Sequence, residues 1–172
     1  MISYKEKLPK ITTLIFDIDG VLTNGEVYVM KDEFVRAIST KDAYALQYAN
    51  RAGFKVLIIT GGDSEYLKKA LEGIGVHEVF LRSSNKIEVY EKCKEKYQFK
   101  DEQALYMGDD IPDYPVMEKV GIATCPQDAA TEIKHISHYQ SPIKGGQGCV
   151  RDVIEQTLRS QNKWFKENAF HW

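Results

Sequence analysis

The 172 residues carry 23 basic and 25 acidic side chains, a net charge of −2, so no excess of positive charge argues for a nucleic-acid partner. The longest wholly apolar run is a few residues, far short of the roughly 20 needed to span a bilayer, and Met1 to Lys10 lack the apolar core of a signal peptide. The length predicts a single domain, residues 1–172, with a core of its own. Three cysteines (Cys93, Cys125, Cys149), odd in number and far apart, predict free thiols in a reducing, cytoplasmic setting.

The first predicted strand runs from about Ile11 to Ile18. It is apolar on both faces and does not alternate, the pattern of a buried parallel strand. It delivers Asp17 and Asp19, one residue apart, and then breaks at Gly20. Carboxylates this close repel unless a cation or a proton sits between them, and the carboxyl end of a strand is where open α/β sheets bind ligands. This stretch alone suggests a metal site.

A hairpin pattern follows over 25–38. Gly25 to Met30 and Phe34 to Ile38 flank a polar turn at Lys31-Asp32-Glu33. Val27 and Val29 fall on one face, Tyr28 and Met30 on the other. A hairpin apolar on both faces cannot stand alone in water, so it packs on its own domain or on another subunit. A helix is expected over Asp42–Ala52, stopped by Gly53, and then a buried strand over Lys55–Thr60 that ends in Thr60-Gly61-Gly62. Ser64 opens a helix carrying Leu67, Leu71 and Ile74. A short strand (Val79–Leu81), a helix (Asn85–Tyr97), a strand (Ala104–Met107) ending in Gly108-Asp109-Asp110, a short helix (Met117–Val120) and a strand (Gly121–Ala123) come next. A loop, Gly145-Gly146-Gln147-Gly148, precedes the last helix, Val150–Leu158. The tail, 160–172, reads as loosely ordered or as a packing strap. Strands alternating with helices predict an α/β fold, a doubly wound, Rossmann-like parallel sheet with a β-hairpin inserted after the first strand.

In such a sheet the strand ends share one edge, which brings Asp17, Asp19, Thr60, Asp109 and Asp110 together, with Lys86 at the start of a nearby helix. Three carboxylates plus waters suit Mg²⁺. Thr60 and the amides of Gly61 and Gly62 offer donors to phosphate oxygens, and Lys86 a point charge. Asp17 is then a nucleophile that forms an aspartyl-phosphate, and Asp19 the general acid for the leaving alkoxide and the base for water. Taken singly, Thr60 is an ordinary strand-end cap, Lys86 a solvated lysine, and Asp110 with Asp113 a helix start. Their joint chain order carries the argument. The four histidines show no ligand pattern, and the 145–148 loop lacks a dinucleotide-binding context.

These residues resemble the haloacid dehalogenase superfamily of phosphohydrolases. Asp17-Ile18-Asp19-Gly20-Val21 is similar to its first motif, Thr60-Gly61 to its second, Lys86 to its third, and Gly108-Asp109-Asp110-Ile111-Pro112-Asp113 to its fourth. The resemblance implies that Asp17 is nucleophile and metal ligand, that Asp19 is acid/base and gives a backbone carbonyl to Mg²⁺, and that Asp109 is the third protein ligand, supported by Asp110 and Asp113. Within the superfamily the chain looks like the phosphatases of eight-carbon keto-sugar acids, in its hairpin, its Lys41-Asp42 pair and its late Gly145-to-Arg151 stretch. That likeness implies a small phosphorylated sugar acid as substrate and lipopolysaccharide sugar biosynthesis as the setting. It also implies a homotetramer in which a neighbouring subunit closes each site. Ser39, Thr40, Lys41, Asp42 and Ala43 would then join Asp19, Thr60, Gly61 and Lys86 around the substrate. Gln47, Gly62 and Ala70 stand where that group carries sugar-contacting arginines. The spacing between motifs leaves no room for a cap domain. Three other readings compete: a phosphatase for nine-carbon keto-sugar acids or other small esters, a receiver-type module that stores phosphate on Asp17, and an inactive oligomerisation module.

Overall fold

The computed structural model describes residues 3–31 and 34–171. Its centre is a six-stranded sheet, all strands parallel, built from β1 (Thr13–Phe16), β4 (Lys55–Ile59), β5 (Glu78–Phe80), β6 (Ala104–Met107), β7 (Ile122–Cys125) and β8 (Tyr139–Gln140). The order across the sheet is β5-β4-β1-β6-β7-β8. The chain builds outward from β1 on one side and returns to build outward on the other. That reversal opens a crevice at the carboxyl ends of β1 and its neighbours.

Alternation along each strand divides the core in two. Leu14 and Phe16 of β1, Val56 and Ile58 of β4 and Leu105 and Met107 of β6 face α2 (Thr40–Arg51) and α7 (Cys149–Ser160). Ile15, Leu57, Ile59 and Tyr106 face the other way, onto α4 (Lys86–Tyr97) and α5 (Tyr114–Met117). All four residues of β1 are buried, which is why that strand shows no polar face in the sequence. The predicted doubly wound sheet is therefore present.

Three details differ from expectation. The short helix expected at Met117–Val120 forms earlier, at Tyr114–Met117, because Pro115 falls in its first turn, where a missing N–H costs nothing. The strand expected at Gly121–Ala123 is Ile122–Cys125. A helix, α6 (Thr131–Ile136), and the edge strand β8 occupy a stretch for which the sequence suggests no element. β8 has only two residues, Tyr139 and Gln140, too few for any periodicity to register.

The hairpin is shorter than its pattern: β2 (Tyr28–Val29) pairs antiparallel with β3 (Phe34–Val35). Two residues of its expected turn, Asp32 and Glu33, lie outside the described residues. Val29 is 75% exposed, and Tyr28, Met30 and Phe34 are each well over half exposed. The tail lies against α2. Trp164 packs edge-on against Tyr48 at 5.2 Å, under the Arg151 guanidinium at 5.6 Å. The Tyr48 hydroxyl donates to the Lys163 carbonyl at 2.8 Å, and that of Tyr44 to the Ala169 carbonyl. Between β1 and β4 the described chain holds only the hairpin and α2, with no cap domain. No helix is long and apolar enough to cross a membrane among the described residues.

Candidate active site

β1 continues its ladder one residue past its end, the Asp17 amide donating to the Met107 carbonyl at 3.1 Å. The chain then turns tightly through Ile18–Leu22, with Gly20 at φ +86°. A side chain at Gly20 would be strained by that angle, and its Cβ would lie 2.0 Å from Asp109 Oδ2. The loop after β1 and the loop after β6 approach this closely only because position 20 has no side chain. From outside, the 145–148 loop holds the turn in place. The Gly146 amide donates to the Val21 carbonyl at 2.9 Å, and a Cβ at Gly145 would sit 2.0 Å from the Gly20 carbonyl oxygen. These glycines serve packing, as their lack of a dinucleotide context implies.

The crevice at the strand ends is a cleft of about 440 Å³, bordered by Asp17, Asp19, Thr60, Gly61, Lys86 and Asp109 among others. Six of the residues singled out from sequence therefore meet on one surface. Asp110 and Asp113 also border it. Lys86, buried at the N-terminus of α4, lies between two carboxylates, with Nζ 2.8 Å from Asp17 Oδ2 and 2.6 Å from Asp113 Oδ1. Asp113 Oδ1 also accepts from the Tyr106 hydroxyl at 2.6 Å, and its Oδ2 accepts from the Asp109 amide at 3.1 Å. Asp113 thereby orients both Lys86 and the Asp109 loop. Asp110 caps the turn Ile111–Asp113 through the Ile111 amide. Thr60 is buried, and its Oγ1 accepts from the Gly62 amide at 3.1 Å, so its own O–H remains available to a bound oxyanion.

The charge balance of this cluster is incomplete. Ligand oxygens of Asp17, Asp109 and Asp113 lie within 4.8 Å of one another, against one lysine. Burial, then the charge of Asp113, push Asp17 up to about 6, although Lys86 pulls the other way. Burial, then Asp17 and Asp113, push Asp109 up to about 8. Burial pulls Lys86 down, but Asp17 and Asp113 outweigh it, and its pKa is raised. Asp17 Oδ1 and Asp109 Oδ1 are buried without a hydrogen-bond partner among the described residues. Two orphaned carboxylate oxygens in a site that holds too much negative charge fit a hard divalent cation.

Asp19 takes no part in the carboxylate cluster. Its side chain turns the other way, to Arg36 just after β3, with Nε to Oδ1 at 2.6 Å and Nη2 to Oδ2 at 3.0 Å. Sequence reasoning passed over Ser83 and Ser84, which border the cleft, and Arg36, which pairs with Asp19. The one visible signal of Arg36 is a charged side chain on the return of an otherwise apolar hairpin.

The stretch 39–43 stands apart. Ser39, Thr40, Lys41, Asp42 and Ala43 do not border the cleft. Asp42 is fully buried, and its Oδ1 accepts from the Arg151 amide at 2.7 Å, so its carboxylate caps α7 instead of turning to a substrate. Burial pushes it up to about 6 against that hydrogen bond. Of the positions read as missing arginines, Gly62 borders this cleft, whereas Ala70 borders a neighbouring one and Gln47 neither.

The sequence model of the haloacid dehalogenase-like hydrolases matches residues 40–121. The 3-deoxy-D-manno-octulosonate 8-phosphate phosphatase of Escherichia coli K12 is 34% identical over 158 residues, which cover 91% of this chain and 84% of that one. The crystal structure of the Yersinia pestis enzyme of the same description superposes with a TM-score of 0.90 at 32% identity, covering 92% of this chain and 86% of the other. The fold is also shared, at a TM-score of 0.90 and 24% identity over 93% and 92% of the two chains, by the Moraxella catarrhalis phosphatase, solved with magnesium, phosphate and a molecule of the sugar acid KDO.

Proposed function

The chain belongs to the 3-deoxy-D-manno-octulosonate 8-phosphate phosphatases, a family of haloacid dehalogenase-like hydrolases, and from that premise we propose that it hydrolyses the phosphate ester of a keto-sugar acid, 3-deoxy-D-manno-octulosonate 8-phosphate, to the free sugar acid and phosphate. The single observation that carries this reading is the cluster of Asp17, Lys86, Asp109 and Asp113 at the head of β1 and β6, with two buried carboxylate oxygens that no donor among the described residues satisfies.

Asp17 and Asp109 would hold Mg²⁺ through their carboxylates and Asp19 through its backbone carbonyl. When bound, the ion offsets the charge of the phosphate and of the aspartates, so that one anion can approach another. Asp17 attacks phosphorus. The new bond from its carboxylate oxygen forms as the ester P–O bond breaks, and Asp19 gives its proton to the departing alkoxide. Lys86, fixed by Asp113, and the Thr60 hydroxyl hold the non-bridging oxygens. Water then attacks the aspartyl-phosphate and gives its proton to Asp19. The bond to Asp17 breaks, and inorganic phosphate leaves. A module that only stores phosphate would not need an acid/base two residues from its acceptor, which favours turnover over the receiver reading.

The same proposal covers assembly and setting. The exposed apolar hairpin and the wide cleft are both explained if the chain forms a homotetramer in which hairpins pack together and a neighbour covers each site, in the cytoplasm, where sugar precursors of lipopolysaccharide are made. The test is a hydrolysis panel of eight- and nine-carbon keto-sugar acid phosphates, nucleotides and neutral sugar phosphates, each with and without Mg²⁺. The expected result is Mg²⁺-dependent release of phosphate with the eight-carbon acid preferred. A preference for nine-carbon acids moves the substrate within the class, and no preference for sugar acids refutes the assignment.

A further inference from the structure

Both oxygens of Asp19 are engaged in this structure. Arg36 holds them with Nε and Nη2, the forked geometry that guanidinium and carboxylate favour, and its side chain is only 10% exposed. A carboxylate held at both oxygens cannot reach the ester oxygen of a substrate, so the pair has to open in each turnover. An arginine that loses its anion in a half-buried place needs another. Its third nitrogen, Nη1, already lacks one, being buried with no acceptor among the described residues.

The surroundings indicate where a replacement comes from. Arg36 borders a second cleft of about 530 Å³, between the hairpin and α3 (Glu65–Gly73), with Phe34, Tyr66, Ala70 and Arg82 also on its walls. Asp19 and Gly62 border the first cleft. The ion pair is thus the partition between the two. Gly62 keeps it reachable: a Cβ there would lie 3.2 Å from Arg36 Nη2 and 3.3 Å from Asp19 Oδ2. A longer side chain at 62 would cover the guanidinium. In the second cleft, Arg82 is already paired with Asp63 at 2.8 Å. Lys41, the cation that the family resemblance places beside the substrate, borders neither cleft.

We propose that Arg36 is the receptor for the substrate's carboxylate, and that by exchanging Asp19 for that carboxylate it frees Asp19 to work on the ester. Resting on the phosphatase reading above, this assigns a specificity-determining role to a residue outside the family's sequence motifs. A substrate phosphorylated at one end and carboxylated at the other spans both clefts and opens the pair itself. A neutral sugar phosphate fills the first cleft and leaves Asp19 held. Discrimination therefore falls on kcat as well as on KM, because the carboxylate completes the site and does not only anchor the ligand.

The experiment compares the full chain with Arg36→Ala, Arg36→Lys and Lys41→Ala on two esters, 3-deoxy-D-manno-octulosonate 8-phosphate and D-ribose 5-phosphate, with Mg²⁺ present and folding checked by circular dichroism. For Arg36→Ala the ratio of kcat/KM for the acid to that for ribose 5-phosphate is expected to fall about 10- to 100-fold, the loss of one charged hydrogen-bonded contact. The kcat for ribose 5-phosphate is expected to rise, since Asp19 is no longer held. Arg36→Lys should recover part of the ratio, having the charge without the fork; it also serves as the test if the alanine variant does not fold. An equal loss on both esters, an unchanged ratio, or a collapse in Lys41→Ala instead overturns the proposal. A collapsed ratio without the gain on ribose 5-phosphate overturns the release of Asp19. Failure of the phosphatase reading looks different: the unaltered chain then hydrolyses neither ester.

Discussion

The strand-end cluster and the hairpin differ in what their own chain supplies. At the cluster the chain provides nearly everything. Lys86 sits between Asp17 and Asp113, and Tyr106 and the Asp109 amide hold Asp113. At the hairpin it supplies two paired residues on each strand and leaves Tyr28, Val29, Met30 and Phe34 in water. The first region is over-determined, and small changes there propagate. The second is under-determined within one subunit, which is what the proposed assembly would complete. Arg36 joins them, its backbone just after the hairpin's return strand and its guanidinium paired with Asp19, which borders the cluster's cleft.

The largest effect is expected from Lys86→Met, which leaves Asp17 and Asp113 buried and facing each other. Removing one partner of a buried ionic network costs about 3–5 kcal/mol, to be read from urea unfolding, and loss of a charge aimed at the phosphate lowers turnover by about 10²-fold or more. A variant of full stability would show that the cluster is less tightly determined than its geometry implies.

Next comes pH. Asp17 and Asp109 are raised to about 6 and about 8 from an ordinary 3.8, so between about pH 4 and 8 the folded chain binds more protons than the unfolded one. Stability without metal is therefore fully present at the acid end and is lost as pH rises through that window. The melting temperature of the metal-free protein should fall across it. Added Mg²⁺ should restore more at pH 8 than at pH 5, because at pH 5 protons hold its ligands. A metal-induced shift independent of pH would separate these aspartates from the cation.

The smallest effect on the fold is expected from Val29→Lys with Phe34→Lys. Exposed substitutions of this kind change subunit stability by about 0.5 kcal/mol or less, while the mass in sedimentation falls toward that of one chain. Variants that keep the full mass would remove the hairpin from the interface. Variants that unfold would make it part of the core after all.

The sequence reveals the two regions unequally, for physical reasons. β1, β4 and β6 are buried on both faces and end in acids or in threonine and glycines, so their runs and their chemistry sit side by side in the chain and are legible together. The doubly apolar hairpin is legible as a pattern, although only its two innermost pairs form. β8 escapes because it has only two residues, Tyr139 and Gln140, paired with Thr124 and Cys125 of β7, too few to show a strand pattern. The Arg36–Asp19 pair escapes because it joins positions 17 apart across a tight turn and a two-strand hairpin, which share no repeat that would set a spacing. The stretch 39–43 is placed around the substrate by family resemblance alone, and what its pattern does not show is that Asp42 serves a different helix, through a residue 109 positions away in the chain.

That long reach has a consequence for the loop that carries the first two acids. Position 20 is fixed by Gly145, and Val21 by Gly146 and by the Cys149 thiol, while α2 is tied to α7 through Asp42. The loop after β1 therefore owes its working shape to a stretch more than 120 residues further along the chain. Without α7 and the loop before it, the acids are present but the turn that presents them has lost its support.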